Sequence, residues 1–340
     1  MNKRGINQSY MILIGAAVVY AILKVLIVTG MIGDYWQLIL DESMITTIAA
    51  LGLSLIYGFN GQFSLGQAAF YGLGAYAAGA ITKAWGHGNW LWFVVALIAG
   101  PVAGGLISYL IGRPILRLVS DYLGIATLGF GIIVTTLLNN ADKVIPILGG
   151  AVGMTGMIHM VHFDLIFVFT VGAILLVRNF VQSSPGRAVV SIREDEIAAD
   201  AMGIDTTRYK TLAFVVGGAL SGFAGALYAH RYPYLNPSSF DFLQSVNILL
   251  IVVLGGLGSI SGTVGTAVGW VFLLEGLRFV LGQQFLDFRG VIYALVLIVV
   301  IILRPQGLFG GKEIGFLKPP SIQKPVLGPG KESSHAGLGG

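Results

Sequence analysis

Long apolar runs separated by short polar gaps fill the chain between residues 10 and 303. An α-helix that crosses the hydrocarbon core of a bilayer needs about 20 mainly apolar residues, with a working range of about 17–25. Runs of that kind stand at 10–29, 90–112, 121–139, 163–182, 211–230 and 286–303. Two further stretches, 43–82 and 243–281, are too long for a single crossing and are interrupted near the middle by polar residues and glycine, so each predicts a pair of spans. The pattern predicts an all-α, polytopic membrane helical bundle of about ten transmembrane helices. The first run follows Lys3 and Arg4 as a secretory signal would, but the segment from Tyr10 to Thr29 is longer than the about 7–15 apolar residues of a cleaved signal, and no clean small-x-small site follows it. It predicts a retained first helix.

The basic residues test this count, because Lys and Arg collect in cytoplasmic loops. With Lys3 and Arg4 inside, an even count places Arg113 and Arg117, the stretch from Arg178 to Lys210, and Arg304, Lys312, Lys318 and Lys324 on that same side. The segment 30–42 carries Asp34, Asp41 and Glu42 without Lys or Arg and falls outside as a loop. Lys83 and Lys143, in the loops 83–89 and 140–162, are mild exceptions. Treating one of the interrupted stretches as a single span destroys the agreement. Both termini are therefore predicted to be cytoplasmic. After Pro305 the sequence turns rich in Gly, Pro, Ser and Lys, which divides the chain into a transmembrane domain, 1–310, and a disordered cytoplasmic tail, 311–340.

Composition agrees with a lipid environment. Hydrophobic residues make up 55% of the chain and charged residues 11%, against about a quarter charged in soluble domains. The 49 glycines include the spacings Gly100-x-x-x-Gly104, Gly218-x-x-x-Gly222 and Gly265-x-x-x-Gly269, which let helix backbones approach in membranes. The absence of cysteine excludes a disulfide framework and thiolate metal sites. A net charge of +4 would suit a nucleic-acid partner, but the basic residues sit in the gaps between apolar runs, where topology accounts for them, so none is expected. His159-x-x-His162 has ligand spacing but only Asp164 as a nearby carboxylate, and is expected to be a solvated pair without metal. Glu275 and Arg278, three apart on one helix, either neutralise each other or, as intramembrane charges, serve function. Neither a P-loop nor a complete Gly-x-Gly-x-x-Gly after a strand is present, so no nucleotide or other cofactor is expected on this chain.

The polar island from Ser183 to Lys210 interrupts the apolar pattern most strongly. Ile197, Ala198, Ala201, Met202 and Ile204 recur there at helical spacing among nine charged side chains, predicting one short amphipathic helix that Pro185-Gly186 separates from the preceding span and Gly203 stops. A plain loop whose charges fix topology has the same composition. A helix lying on the headgroups fits less well, since acidic and basic residues are balanced.

Two glycine-containing breaks interrupt the long apolar stretches. In the first, Asn60, Gly61, Gln62, Ser64 and Gln67 put amides and a hydroxyl where lipid-facing residues would otherwise stand. Irregular backbone at membrane depth needs cover from protein or a water-filled cavity, which makes these residues candidates for a translocation path. A tight turn between two spans reads equally well, because Asn-Gly is an ordinary turn dipeptide. The second break runs from Gly255 to Gly265 and offers Gly258, Ser259 and Ser261 to the same path.

The run Arg193-Glu194-Asp195-Glu196-Ile197-Ala198-Ala199-Asp200-Ala201-Met202-Gly203-Ile204, followed by Tyr209-Lys210 and a Gly/Ala-rich span, resembles the coupling loop of ABC importer permeases. The general pattern there is Glu-Ala-Ala, three residues, then Gly; Ala198, Ala199 and Gly203 keep that register, while Ile197 takes the Glu position and Glu196 stands one place early. This departure favours the branched-chain amino acid variant. The run from Tyr57 to Phe70 is similar to the signature of permeases of the LivM/LivH type, with the LivM branch the better match, and the likeness covers roughly residues 40–305. The resemblance implies an ABC importer permease fold in the bacterial inner membrane, translocating leucine, isoleucine and valine delivered by a periplasmic substrate-binding protein. It implies a second, LivH-like permease subunit and two ABC ATPase subunits that hold ATP and Mg, with the motor docked on 183–210 through Glu194, Asp195, Glu196, Ala198, Ala199, Ala201 and Gly203. Relatives of this kind that handle urea, amides or aromatic acids leave the substrate open. An ion-coupled secondary transporter is the rival class, but it usually buries unpaired acidic residues, and the predicted spans contain almost none.

Overall fold

A computed structural model describes residues 3–86, 89–116, 120–155, 160–282, 284–303 and 307–309. The tail 311–340, Arg117, His159 and Arg304 lie outside them, and with the tail Lys312, Lys318 and Lys324. Among the described residues seven helices are long and apolar enough to cross a membrane: Tyr10–Val28, Asp34–Phe59, Trp90–Ile115, Tyr122–Asn139, Phe163–Gln182, Thr206–Arg231 and Ile260–Phe279. They lie in α1 (Lys3–Val28), α2 (Asp34–Leu53, continued by a wide turn Ser54–Phe59), α4 (Trp90–Ile115), α5 (Ser120–Asn139), α6 (Phe163–Gln182), α9 (Thr206–Arg231) and α11 (Ile260–Leu281). The expected second partner of the first pair is α3 (Gln67–Ile81), and the expected first partner of the second pair is α10 (Phe242–Gly255). α10, at 14 residues, is shorter than the about 17 a crossing requires, whereas the 15 residues of α3 run on directly into a further helical turn, Thr82–Gly86. The last expected span falls in α12 (Gln284–Leu303).

Helix α2 is the axis of the bundle. Its apolar span is 94% buried, whereas that of α1 is 6% buried, so α1 lies at the edge of the bundle. Around α2 pack α6, α9, α10 and α11. The tightest packing joins α9 to α3 and α4, and glycine explains it. A Cβ on Gly104 would lie 2.4 Å from the Gly218 carbonyl oxygen, and one on Gly222 would lie 2.3 Å from that of Gly100. Two of the three glycine repeats in the sequence therefore face each other across one helix crossing, where small residues let backbones touch. Other faces of α9 repeat the device, with Gly225 against the Tyr71 carbonyl of α3 and Gly217 against the Gly52 carbonyl of α2. The third repeat makes no such crossing: Gly265 meets Phe309, and Gly269 has open space.

Polar pairs fasten the periphery. Lys24 of α1 binds Asp164 at the start of α6 at 2.7 Å, and Tyr20 donates to the same carboxylate at 2.9 Å. Trp270 Nε1 donates to Asn247 Oδ1 at 2.6 Å, joining α11 to α10. Two short strands, β1 (Met154–Thr155) and β2 (Tyr234–Leu235), pair antiparallel and tie the loop after α5 to the loop after α9.

Two local expectations are corrected. Asp34, Asp41 and Glu42 lie on helix α2, not in a loop, since α2 begins at Asp34. Its Asp41 is fully buried because Arg231 at the end of α9 donates to it at 2.5 Å. The polar island is two helices, α7 (Ser184–Glu194) and α8 (Glu196–Ala201), and Pro185 opens α7 instead of standing before it. Proline is suited to the first helical turn, where its missing N–H has no partner to lose. Ser183 caps that turn by accepting from Gly186 N at 3.2 Å.

Because the Gly222 clash is with backbone, no rotamer relieves it. Gly222→Leu should lower stability by about 3 kcal/mol, whereas Gly172→Leu on α6, whose Cβ direction is open, should stay within about 0.5 kcal/mol. Thermal unfolding of the two variants in detergent checks the difference.

Candidate functional site

The two breaks and the two island helices converge at one end of the bundle. Helix α2 ends in the wide turn Ser54–Phe59, and the chain leaves it through Asn60 and a left-handed Gly61 at φ +73°. Asn60 Nδ2 donates to Gln62 Oε1 at 2.6 Å, and both side chains are buried. Beyond them the chain runs irregularly to α3, where backbone groups find side-chain partners: Leu65 N donates to Thr127 Oγ1 at 3.0 Å and Ala68 N to Ser245 Oγ at 3.1 Å. Ser64 is buried and accepts from Gly66 N at 3.4 Å. The Gln67 amide reaches the Ala49 carbonyl at 3.3 Å, the Gly217 carbonyl at 3.5 Å and the Ser221 hydroxyl. Gln67 thus fastens α2, α3 and α9 where their backbones come close.

The second break lies directly against the first. Helix α10 ends at Gly255, Gly256 and Gly258 take left-handed conformations at φ +100° and +81°, and Ser259 caps α11 by accepting from Gly262 N at 3.0 Å. Ser261 lies beside Ser259, and Thr263 Oγ1 donates to Ser54 Oγ at 3.3 Å across to α2. A Cβ on Gly58 would be 2.9 Å from Gly258 N, so the two interrupted helices touch backbone to backbone.

Helices α7 and α8 cover this junction. Asp195 ends α7 and caps α8, accepting from Ala198 N at 3.0 Å. Asp205 caps α9 in the same way by accepting from Arg208 N. Glu196 binds Lys210 at 2.5 Å, joining α8 to the first turns of α9, and Gly203 at φ +82° supplies the left-handed turn that stops α8. An apolar-walled cavity of about 680 Å³ opens between these helices, the end of α6 and the breaks, with Phe59, Val181, Val190, Ala199, Ile204 and Gly258 on its wall.

Of the expected coupling residues, Glu194, Asp195, Ala198 and Ala199 line this cavity together with Gly258. Ala199 is buried against the bundle, while Glu194, Asp195, Glu196, Ala198, Ala201 and Gly203 are exposed. Among the eight expected path residues, Asn60, Gln62, Ser64, Gln67, Ser259 and Ser261 are buried in packing, Gly61 is exposed, and Gly258 alone lines the cavity. Two residues outside the expected set stand out: Ile197 is 84% and Met202 83% exposed, an apolar pair projecting from α8 among charges. Their signal in the sequence was the same helical spacing, with the apolar positions turned away from the core. His162 precedes α6 at its N-cap position, and Glu275 and Arg278 pair at 3.2 Å.

The family model described as the branched-chain amino acid transport system / permease component matches residues 36–301. The permease protein LivM of the high-affinity branched-chain amino acid transport system of Salmonella typhimurium is 34% identical over 300 residues, covering 78% of this chain and 68% of that protein. LivM of Escherichia coli is 33% identical over the same shares, and LivH of Escherichia coli is 27% identical over 290 residues, 78% of this chain and 92% of its own. No solved structure matches.

The cap at Asp195 is the simplest element to remove. Asp195→Ala should weaken α8 by about 1 kcal/mol, read as about fivefold faster amide exchange at Ala198 and Ala199, with exchange inside α9 unchanged.

Proposed function

The chain belongs to the family of branched-chain amino acid transport permease components, and on that premise we propose that it serves as one permease subunit of an ATP-driven importer in the bacterial inner membrane, with both termini in the cytoplasm. As a member of the family it is a multi-pass transport subunit and not an enzyme. Its substrate class is the branched-chain amino acids, in keeping with the transport systems to which its LivM and LivH relatives belong. A LivH-like second subunit completes the path, a periplasmic binding protein presents leucine, isoleucine or valine at the outer face, and two ATPase subunits hold ATP and Mg.

The observation that carries ATP coupling is the pair Ile197 and Met202. Apolar side chains so exposed on a short, charge-flanked helix outside the membrane spans have the character of an anchor for a partner's groove. Glu194, Glu196, Ala198 and Ala201 surround that anchor, and the left-handed Gly203 sets where the helix ends. The approach of Gly61 and Gly258 to Arg193 of α7, with Asn60 and Gln62 beside them in the same break, supports their placement where the path meets the coupling helices, with Ser64, Gln67, Ser259 and Ser261 holding the interrupted backbones in shape. Ion coupling is disfavoured by the buried carboxylate of α2, since Asp41 is held by Arg231.

Proteoliposomes containing the complete complex should take up labelled leucine only with ATP inside or outside at the ATPase face and with binding protein on the opposite face. Uptake driven by an ion gradient without ATP would overturn the reading. Ile197→Asp combined with Met202→Asp should weaken ATPase association about 30-fold or more, the size expected for two anchor residues. Co-purification of the ATPase with each variant measures this, with membrane insertion unchanged.

A further inference from the structure

Arg193, the next-to-last residue of α7, reaches from the island into the junction of the two breaks. Its Nη1 donates to the carbonyl oxygen of Gly58 at 2.6 Å. That carbonyl belongs to the last turn of the α2 helix, where carbonyls have no partner further along the helix and a cation is favoured by the helix dipole.

Three glycines make room for the side chain. A Cβ on Gly61 would lie 3.2 Å from Arg193 Cγ, and one on Gly258 would lie 2.6 Å from Nη1. At Gly58 a Cβ would strike Gly258 N at 2.9 Å, separating the two walls of the socket. Gly61 and Gly258 are also left-handed, so glycine is required there twice over. One guanidinium thus touches the end of α2 and the turn between α10 and α11, and its backbone is continuous with the helix that Asp195 joins to α8.

We propose that Arg193 is a positioning residue that fixes the island helices to both interrupted membrane helices, so that displacement of α7 and α8 by the ATPases is delivered to the two breaks together. The inference rests on the permease reading above. Without the strut the island still docks its motor through Ile197 and Met202, since those side chains project from α8 and not from the socket. What is lost is transmission. Arg193 is itself solvent-exposed and holds the junction through the one Nη1 bond; lysine would keep the charge and a donor but not the flat guanidinium that lies along Gly258.

The test is the number of ATP molecules hydrolysed per substrate imported by the reconstituted complex. Arg193→Ala should keep ATPase association and hydrolysis while uptake falls about tenfold, as expected for losing a hydrogen bond to a charged group, so the ratio rises about tenfold. Arg193→Lys should fall between wild type and Arg193→Ala. Gly258→Ala, which places a methyl where the guanidinium lies, should raise the ratio without changing any charge. If Arg193→Ala fails to assemble, the other two variants carry the test. A wild-type ratio in the variants overturns the strut, and so does a loss of ATPase binding in step with uptake, which would make Arg193 a docking residue. Absence of ATP-driven uptake by the wild-type complex would instead overturn the permease reading.

Discussion

Backbone N–H and C=O groups that leave a helix inside a membrane protein must find partners within the protein, because lipid supplies none. Most of what is distinctive in this fold follows from meeting that demand at two places. Helices α2 and α10 both end in irregular glycine-containing turns, and those ends are brought against each other. Side chains then complete the accounting: Thr127 accepts from Leu65 N between α2 and α3, Ser245 from Ala68 N in the first turn of α3, Ser259 caps α11, and Arg193 donates to the end of α2. Of these, Arg193 comes from the polar island. A demand that is purely local in origin therefore ties the membrane domain to the island.

Glycine serves two unlike purposes in this arrangement. On α4 and α9 it removes side-chain bulk so that helices approach with carbonyl oxygens against Cα atoms, and dispersion accumulates over the whole crossing. At Gly61, Gly203, Gly256 and Gly258 it permits left-handed turns that end helices abruptly. The first use makes α3, α4 and α9 a close-packed block, and the second sets the sharp turns at the junction against α7 and α8. Close-packed block and irregular junction meet at Gln67, whose amide reaches carbonyls of both α2 and α9.

Much of this was legible in the sequence. Apolar run lengths locate five of the seven long helices as single runs and the other two as halves of the interrupted stretches, and the glycine repeats mark close approach without saying that those at Gly100 and Gly218 face each other. The number of full crossings was less legible, because apolar length alone does not reveal that α10 stops after 14 residues at Gly255. Asp41 read as a loop residue because its partner Arg231 is 190 positions away, and no local pattern reports a pairing at that distance. In the site, charge composition marked the island, but Asp195 reads as one more acid in a run until its cap is seen to divide two helices. Ile197 and Met202 were visible as periodic apolar residues, yet periodicity gives a face and not the direction it looks.

The bond between Asp41 and Arg231 also sets a timetable for biosynthesis. Helix α2 enters the membrane early, and its carboxylate acquires its cation only after 190 more residues have been made, which at about 5–20 residues per second is a wait of roughly 10–40 s. Over that interval the central helix carries an uncompensated acid, a penalty of about 2.5–3.5 kcal/mol if it sat at the bilayer centre. The nascent chain therefore has reason to keep α2 loosely held, near water or an insertion factor, until α9 arrives. The core of the bundle closes late, around its own first buried helix.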